Sequence, residues 1–191
     1  MTPAWVEVLI RLGQFGCGLV LFGLPAFAVY RGRDWDSEGR SGVLFRATLI
    51  AGTWGLLLTT AAATLALTVN MYGTLADALN VEAMGSVLTG LQVGVALGVR
   101  LGLTTVFLLL LLILPDGTSQ RSALLAIGTV IVASFAWSGH GAATEGRWAP
   151  VHLVSDVLHL LAAAIWIGAL VVLTGALARA SAPTDAALAS D

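Results

Sequence analysis

The chain alternates long apolar runs with short polar segments, and the length of those runs is its most informative feature. A helix rises about 1.5 Å per residue, so it needs about 20 apolar residues to cross a hydrocarbon core of about 30 Å. Five segments meet that requirement, at residues 4–30, 43–69, 87–114, 122–138 and 151–178. They are too long and too uniformly apolar for barrel strands, so the pattern predicts an all-α bundle of about five transmembrane helices.

The composition supports the same fold class. Of the 191 residues, 58% are hydrophobic and 10% are charged, whereas a soluble domain carries about 25% charged residues. We expect one transmembrane helical domain over residues 1–180 and a polar tail or linker over residues 181–191. The sequence has no internal repeat and no nucleotide-binding motif, so membrane lipid, and not nucleic acid, is the expected surrounding partner.

Arginine is distributed unevenly over the connections between the predicted spans. If the connections alternate between the two sides of a membrane, six arginines fall on one side and one on the other. The six are Arg31, Arg33, Arg40, Arg46, Arg121 and Arg179, and the one is Arg147. Because cytoplasmic connections are enriched in basic residues, the pattern predicts an outside N-terminus and a cytoplasmic C-terminus.

The three histidines lie together at the junction of the last two spans, on the predicted outer side. His152, Asp156 and His159 follow the spacing i, i+4, i+7, which puts them on one face of a helix. His140 comes from the end of the preceding span, between two glycines that allow close approach. Imidazole is the commonest protein metal ligand, so these four residues form the predicted metal site.

The spacing limits how the donors of this site cooperate. His152 and His159 are about 10 Å apart along the helix axis, and metal–nitrogen bonds are about 2 Å long. One ion therefore cannot bind both directly. Asp156 lies between them. It either fixes the ring orientation of a ligating histidine by a hydrogen bond, or it is the middle one of three groups along which an ion is passed inward.

Arg100 lies in the middle of the third predicted span. An unpaired charge at that depth costs several kcal/mol or more. We therefore expect Arg100 to pair with a carboxylate or with backbone carbonyl groups, or to line a polar path.

The residues around the histidines resemble the copper-resistance D (CopD/PcoD) family of inner-membrane proteins. The resemblance rests on Gly-His140 after one helix and on His152-x3-Asp156-x2-His159 running into Ala-Ala-x-x-Trp-x-Gly. It covers most of residues 87–170, whereas the first two predicted helices match the family in hydrophobicity alone.

The resemblance implies copper handling at the bacterial cytoplasmic (inner) membrane by a multi-pass protein that is not an enzyme. Copper, of undetermined oxidation state, would be moved across the membrane or accepted from a periplasmic carrier protein. The metal-associated residues carried over by position are His140, His152, Asp156 and His159. Family members usually have more helices than the five predicted here, so we expect a short homologue or the N-terminal part of a longer member.

Two other functions fit the same residues. A b-type membrane cytochrome would hold haem between His140 on one helix and His159 on the next. Alternatively, a membrane scaffold subunit without metal would use the Asp–His pair structurally.

Overall fold

The computed structural model describes residues 2–32, 40–138 and 147–180, and the regular structure within them is entirely helical. In chain order the elements are α1 (Ala4–Arg31), α2 (Arg40–Tyr72), α3 (Leu75–Ala78), α4 (Val81–Gly90), α5 (Gln92–Ile113), α6 (Thr118–Ala133), a short 3₁₀ helix (Ala136–Ser138) and α7 (Ala149–Ala180). His140 and the predicted polar tail lie outside the described residues.

Five helices are long and apolar enough to cross a membrane, which confirms the predicted all-α membrane fold. They are α1, α2, α5, α6 together with the 3₁₀ helix, and α7, with mean hydropathies from 1.5 to 2.4 over their most apolar stretches. The third span begins at Gln92 and not at residue 87, because Leu91 has extended backbone (φ −112°, ψ 136°) that separates α4 from α5. The fourth begins at Thr118, four residues earlier than the predicted residue 122.

Consecutive spans run in opposite directions between the two ends of the bundle. At one end α1, α5 and α7 begin and α2 and α6 finish; we call it the histidine end, because His152 lies in the first turns of α7. There the backbone N–H of Thr2, just before α1, donates to the side chain of Asn70 near the end of α2. We call the opposite end, which carries Arg31 and Arg121, the arginine end.

Four of the spans surround a common apolar core. Helices α1, α2, α5 and α6 all contribute fully buried side chains to it. These include Leu21, Leu49, Leu56, Phe107, Leu111, Leu124 and Ile131. Within this group α1 packs against α2 and α6, and α5 closes the core by packing against α2 and α6.

Helix α7 lies outside this core and packs mainly on α1. The two helices cross where Gly23 meets Gly168, and a Cβ on either glycine would collide with backbone atoms of the other helix. Small residues permit such close crossing in membranes, where helices associate by van der Waals packing. Because α7 uses one narrow face for this contact, much of its remaining surface is exposed, including Leu158, Ile165 and Trp166.

Candidate metal site and a polar cleft

Three of the four predicted metal-site residues lie on α7, near the histidine end. We call His152, Asp156 and His159 the donor stripe. The histidines are exposed and Asp156 is half-buried. The face that packs against α1 is centred on Ala164 and Gly168, and at 100° per residue the stripe lies to one side of that face. The predicted common face is therefore present, and it points away from the four-helix core.

The donor stripe does not form a closed metal site by itself. None of its three side chains makes a hydrogen bond to another described residue, so their ring nitrogens and carboxylate oxygens have no partner there. Within residues 2–32, 40–138 and 147–180, no group of three or more His, Cys, Asp or Glu side chains is placed to hold one ion. This agrees with the axial separation of about 10 Å between His152 and His159. A complete site needs donors from a second element.

The 3₁₀ helix is the described element that comes just before His140 in the chain. It ends at Ser138, two positions before His140, and it packs against α5, α6 and α7. Its position follows from the end of α6, where the chain turns at Ser134 and the N–H of Ser138 donates to the carbonyl of Phe135 at 3.0 Å. The 3₁₀ helix therefore ends at the histidine end of the bundle, where α7 begins.

A separate polar feature opens between α1, α2 and α5, and we call it the polar cleft. It has a volume of about 560 Å³. Its apolar walls come from residues such as Ile10, Phe15, Ala63 and Leu97. Its polar groups are the side chains of Glu7, Arg11, Gln14, Asn70, Arg100 and Ser138.

Arg100 forms the deep end of the polar cleft. It lies about 12 Å along α5 from Gln92 and is 1% exposed. Its Nε donates to Ser134 Oγ at 3.1 Å, and one Nη donates to the Ser134 carbonyl at 3.2 Å and to Ser138 Oγ at 3.4 Å. Its guanidinium carbon also lies 3.8 Å from the ring centre of Phe135. Of the expected alternatives, pairing with a carbonyl group is the one observed, at Ser134; Arg100 also lines the polar cleft.

The mouth of the polar cleft is held by side chains from α1 and α2. The carboxylate of Glu7 accepts hydrogen bonds from Thr2 Oγ1 at 2.8 Å and from Asn70 Nδ2 at 3.0 Å. Further in, the buried amide of Gln14 donates to Thr60 Oγ1 at 3.3 Å. Polar contacts thus join α1 and α2 along one wall of the cleft, where membrane lipid could not satisfy these groups.

The sequence analysis did not predict the cleft, although two polar residues inside apolar spans indicate a cavity. Gln14 lies inside an apolar span, as Arg100 does, and polar side chains at such positions usually face the bundle interior or a cavity. That rule predicts an inward orientation for each residue separately. It does not reveal that α1 and α5 bring the two residues to the same cavity.

Five membrane-spanning helices, a stripe of metal-ligand side chains and a buried arginine define a multi-pass helical membrane protein with polar sites near one end. A family model described as copper resistance protein D-like, N-terminal domain, matches residues 1–151. The chain therefore belongs to this family of membrane proteins, whose name connects it with copper handling. The match includes α1 and α2, which the resemblance over residues 87–170 did not, and it ends at residue 151, just before the donor stripe.

A curated relative supports the assignment. Copper resistance protein D from Pseudomonas syringae pv. tomato is 31% identical over 172 residues, an alignment that covers 87% of this chain and 54% of the relative. The chain thus spans about half the length of that relative. No solved structure matches it.

Proposed function

We propose that this protein binds copper ions at the histidine end of its bundle and takes part in their passage at the cytoplasmic membrane. The ion is cargo, held by His140, His152, Asp156 and His159. The observation that supports the proposal most strongly is the donor stripe. Its three side chains have no hydrogen-bond partner among the described residues and lie on one side of α7, in a member of the copper resistance protein D-like family.

The chemistry of the donors fits copper. Imidazole nitrogen and carboxylate oxygen suit Cu(II) among the first-row metals, and the affinity order of divalent ions favours copper. A carboxylate within a membrane segment, such as the half-buried Asp156, costs free energy unless it reaches water or a cation. A bound copper ion beside Asp156 would offset that cost.

The spacing favours two neighbouring positions for an ion over one. Asp156 is about 6 Å from His152 and about 4.5 Å from His159 along the helix axis. Its carboxylate can share an ion with either histidine, whereas one ion cannot contact both histidines directly. We infer that Asp156 passes copper between an outer position at His152 and a deeper position at His159, with His140 completing one of them.

Charge supports an outward-facing histidine end. Arg31, Arg46 and Arg121 are all near the arginine end of the bundle, and the basic end of a membrane protein normally lies in the cytoplasm. The donor stripe would then meet the periplasm of a Gram-negative cell, where a copper carrier protein could deliver the ion.

Metal analysis of the detergent-purified chain tests the site. We expect copper to bind to the wild-type protein and its stoichiometry to fall by half or more in His152→Ala and in Asp156→Asn. Thr174→Ala is the matched control, because Thr174 is an exposed polar residue on the same helix near the other end. Its copper content should equal that of the wild type.

Two outcomes would contradict the proposal. Unchanged copper content in both donor variants would remove those residues from the site. A strong Soret band in the visible spectrum of the purified protein, lost in His140→Ala, would identify a cytochrome instead.

A further inference from the structure

We propose that the polar cleft is a binding site for a small, water-soluble organic carboxylate, which pairs with Arg100. This site is distinct from the donor stripe and does not depend on the proposed copper function. It would give the protein a second ligand of opposite charge.

The first argument is the missing counter-charge of Arg100. The guanidinium is buried and makes no salt bridge with a described carboxylate. All its hydrogen bonds to described residues come from Nε and Nη2 and end on the neutral groups of Ser134 and Ser138. Nη1 has no acceptor among those residues. A buried charge in a membrane protein is normally neutralised. An anion in the cleft would neutralise a charge for which the described residues supply hydrogen bonds but no carboxylate.

The second argument is the shape and lining of the cleft. Its volume of about 560 Å³ is in the range of sites for small organic molecules and is much larger than a single halide ion needs. Ile10, Leu67 and Leu97 supply apolar wall, while Gln14 and Arg100 supply polar groups in the interior. A molecule with a carboxylate head and a short carbon body matches this combination.

The third argument is the charge at the mouth. Arg11 and Glu7 both line the outer part of the cleft, and Glu7 is held in place by Thr2 and Asn70. The cations Arg11 and Arg100 attract an anion, while the carboxylate of Glu7 repels a second negative charge. The site therefore selects a monoanion. The same cations oppose a bare copper ion, so the cleft and the copper route are separate.

The experiment is an anion titration of the full chain in neutral detergent, read as the thermal unfolding midpoint. Sodium propionate is the probe. We expect the midpoint of the wild-type protein to rise and saturate, by about 5 °C or more at 100 times Kd. Arg100→Gln should lose the response. Arg147→Gln, which removes an arginine outside the cleft, should retain the response and so controls for the loss of one positive charge.

A second pair of variants covers the case in which Arg100→Gln does not fold. Ala63→Phe fills the cleft from α2 without altering its charge, whereas Ala61→Phe places the same ring on the exposed side of that helix. The first should abolish the propionate response and the second should keep it.

Three results would overturn the proposal. One is a wild-type midpoint that propionate does not change. Another is an equal response in the wild type and in every folded cleft variant. The third is stabilisation by phosphatidylglycerol but not by propionate, which would assign the cleft to a lipid headgroup.

Discussion

Arg100 and the donor stripe are two polar features of one apolar bundle, and they differ in burial and in the hydrogen bonds they make to the protein. Arg100 is buried, donates three hydrogen bonds to Ser134 and Ser138, and contacts the ring of Phe135. The donor stripe makes no hydrogen bond to another described residue and lies on a helix that contacts the bundle along one narrow face.

The packing of the bundle holds Arg100 in place, whereas it leaves the side chains of the donor stripe without hydrogen bonds to other described residues. In a bilayer no water satisfies polar groups at depth, so a polar side chain either bonds within the protein or reaches the interface or a ligand. Arg100 takes part in the packing of α5 against the end of α6. The donor stripe leaves its lone pairs available. Substitution of Arg100 should therefore change stability as well as anion binding, whereas substitutions in the stripe should change copper binding alone.

The largest effect is expected where α7 meets α1. Gly23→Ala would push a methyl group into the backbone at Ala164 and Gly168, and the overpacking should lower the free energy of unfolding by about 3 kcal/mol. Gly16→Ala is the control on the same helix, because nothing lies within 4 Å of the added Cβ. It should be neutral or should stabilise by up to about 1 kcal/mol, since alanine favours the helix.

Chemical or thermal unfolding of the two glycine variants in the same detergent measures this contrast. Equal stabilities would contradict the glycine crossing as the contact that holds α7. A selective loss in Gly23→Ala would show that α7 depends on one small contact region.

A smaller effect should distinguish the core from the exposed surface of α7. Ile131 is 0% exposed and Ile165 is 55% exposed, so the same truncation can be compared at both. Ile131→Ala leaves a cavity in the core and should cost about 2 kcal/mol. Ile165→Ala should cost less than about 0.5 kcal/mol, because detergent or lipid fills the space. Similar losses at both positions would mean that the surface of α7 is packed against another part of the protein.

Much of the architecture could be predicted because run length and membrane thickness together dictate helices. The break at Leu91 was not predicted, although Gly90 and Gln92 flank it, because single glycine and glutamine residues also occur inside continuous membrane helices. Its cause is tertiary: α4 folds against α5 so closely that a Cβ on Gly94 would collide with the carbonyl of Val87.

The candidate sites were predictable to different degrees. Helical spacing alone put His152, Asp156 and His159 on one face. Which way that face points depends on Gly168, whose close fit to Gly23 orients α7, and spacing carries no information about that contact. For Arg100 the kind of partner was predictable from the cost of a buried charge. The partner itself, Ser134, follows from the packing of α5 on α6.

The smallest effect on stability is expected at the donor stripe, where the same variants are expected to lose copper binding. In metal-free protein, His152→Ala and Asp156→Asn should shift the free energy of unfolding by less than about 0.5 kcal/mol, because neither side chain has a described partner to lose. The measurement is the unfolding midpoint after removal of metal with a chelator. A drop of several degrees in either variant would assign the stripe a structural role, as a scaffold subunit requires. An unchanged midpoint combined with lost copper would mean that these residues serve the ligand and not the fold.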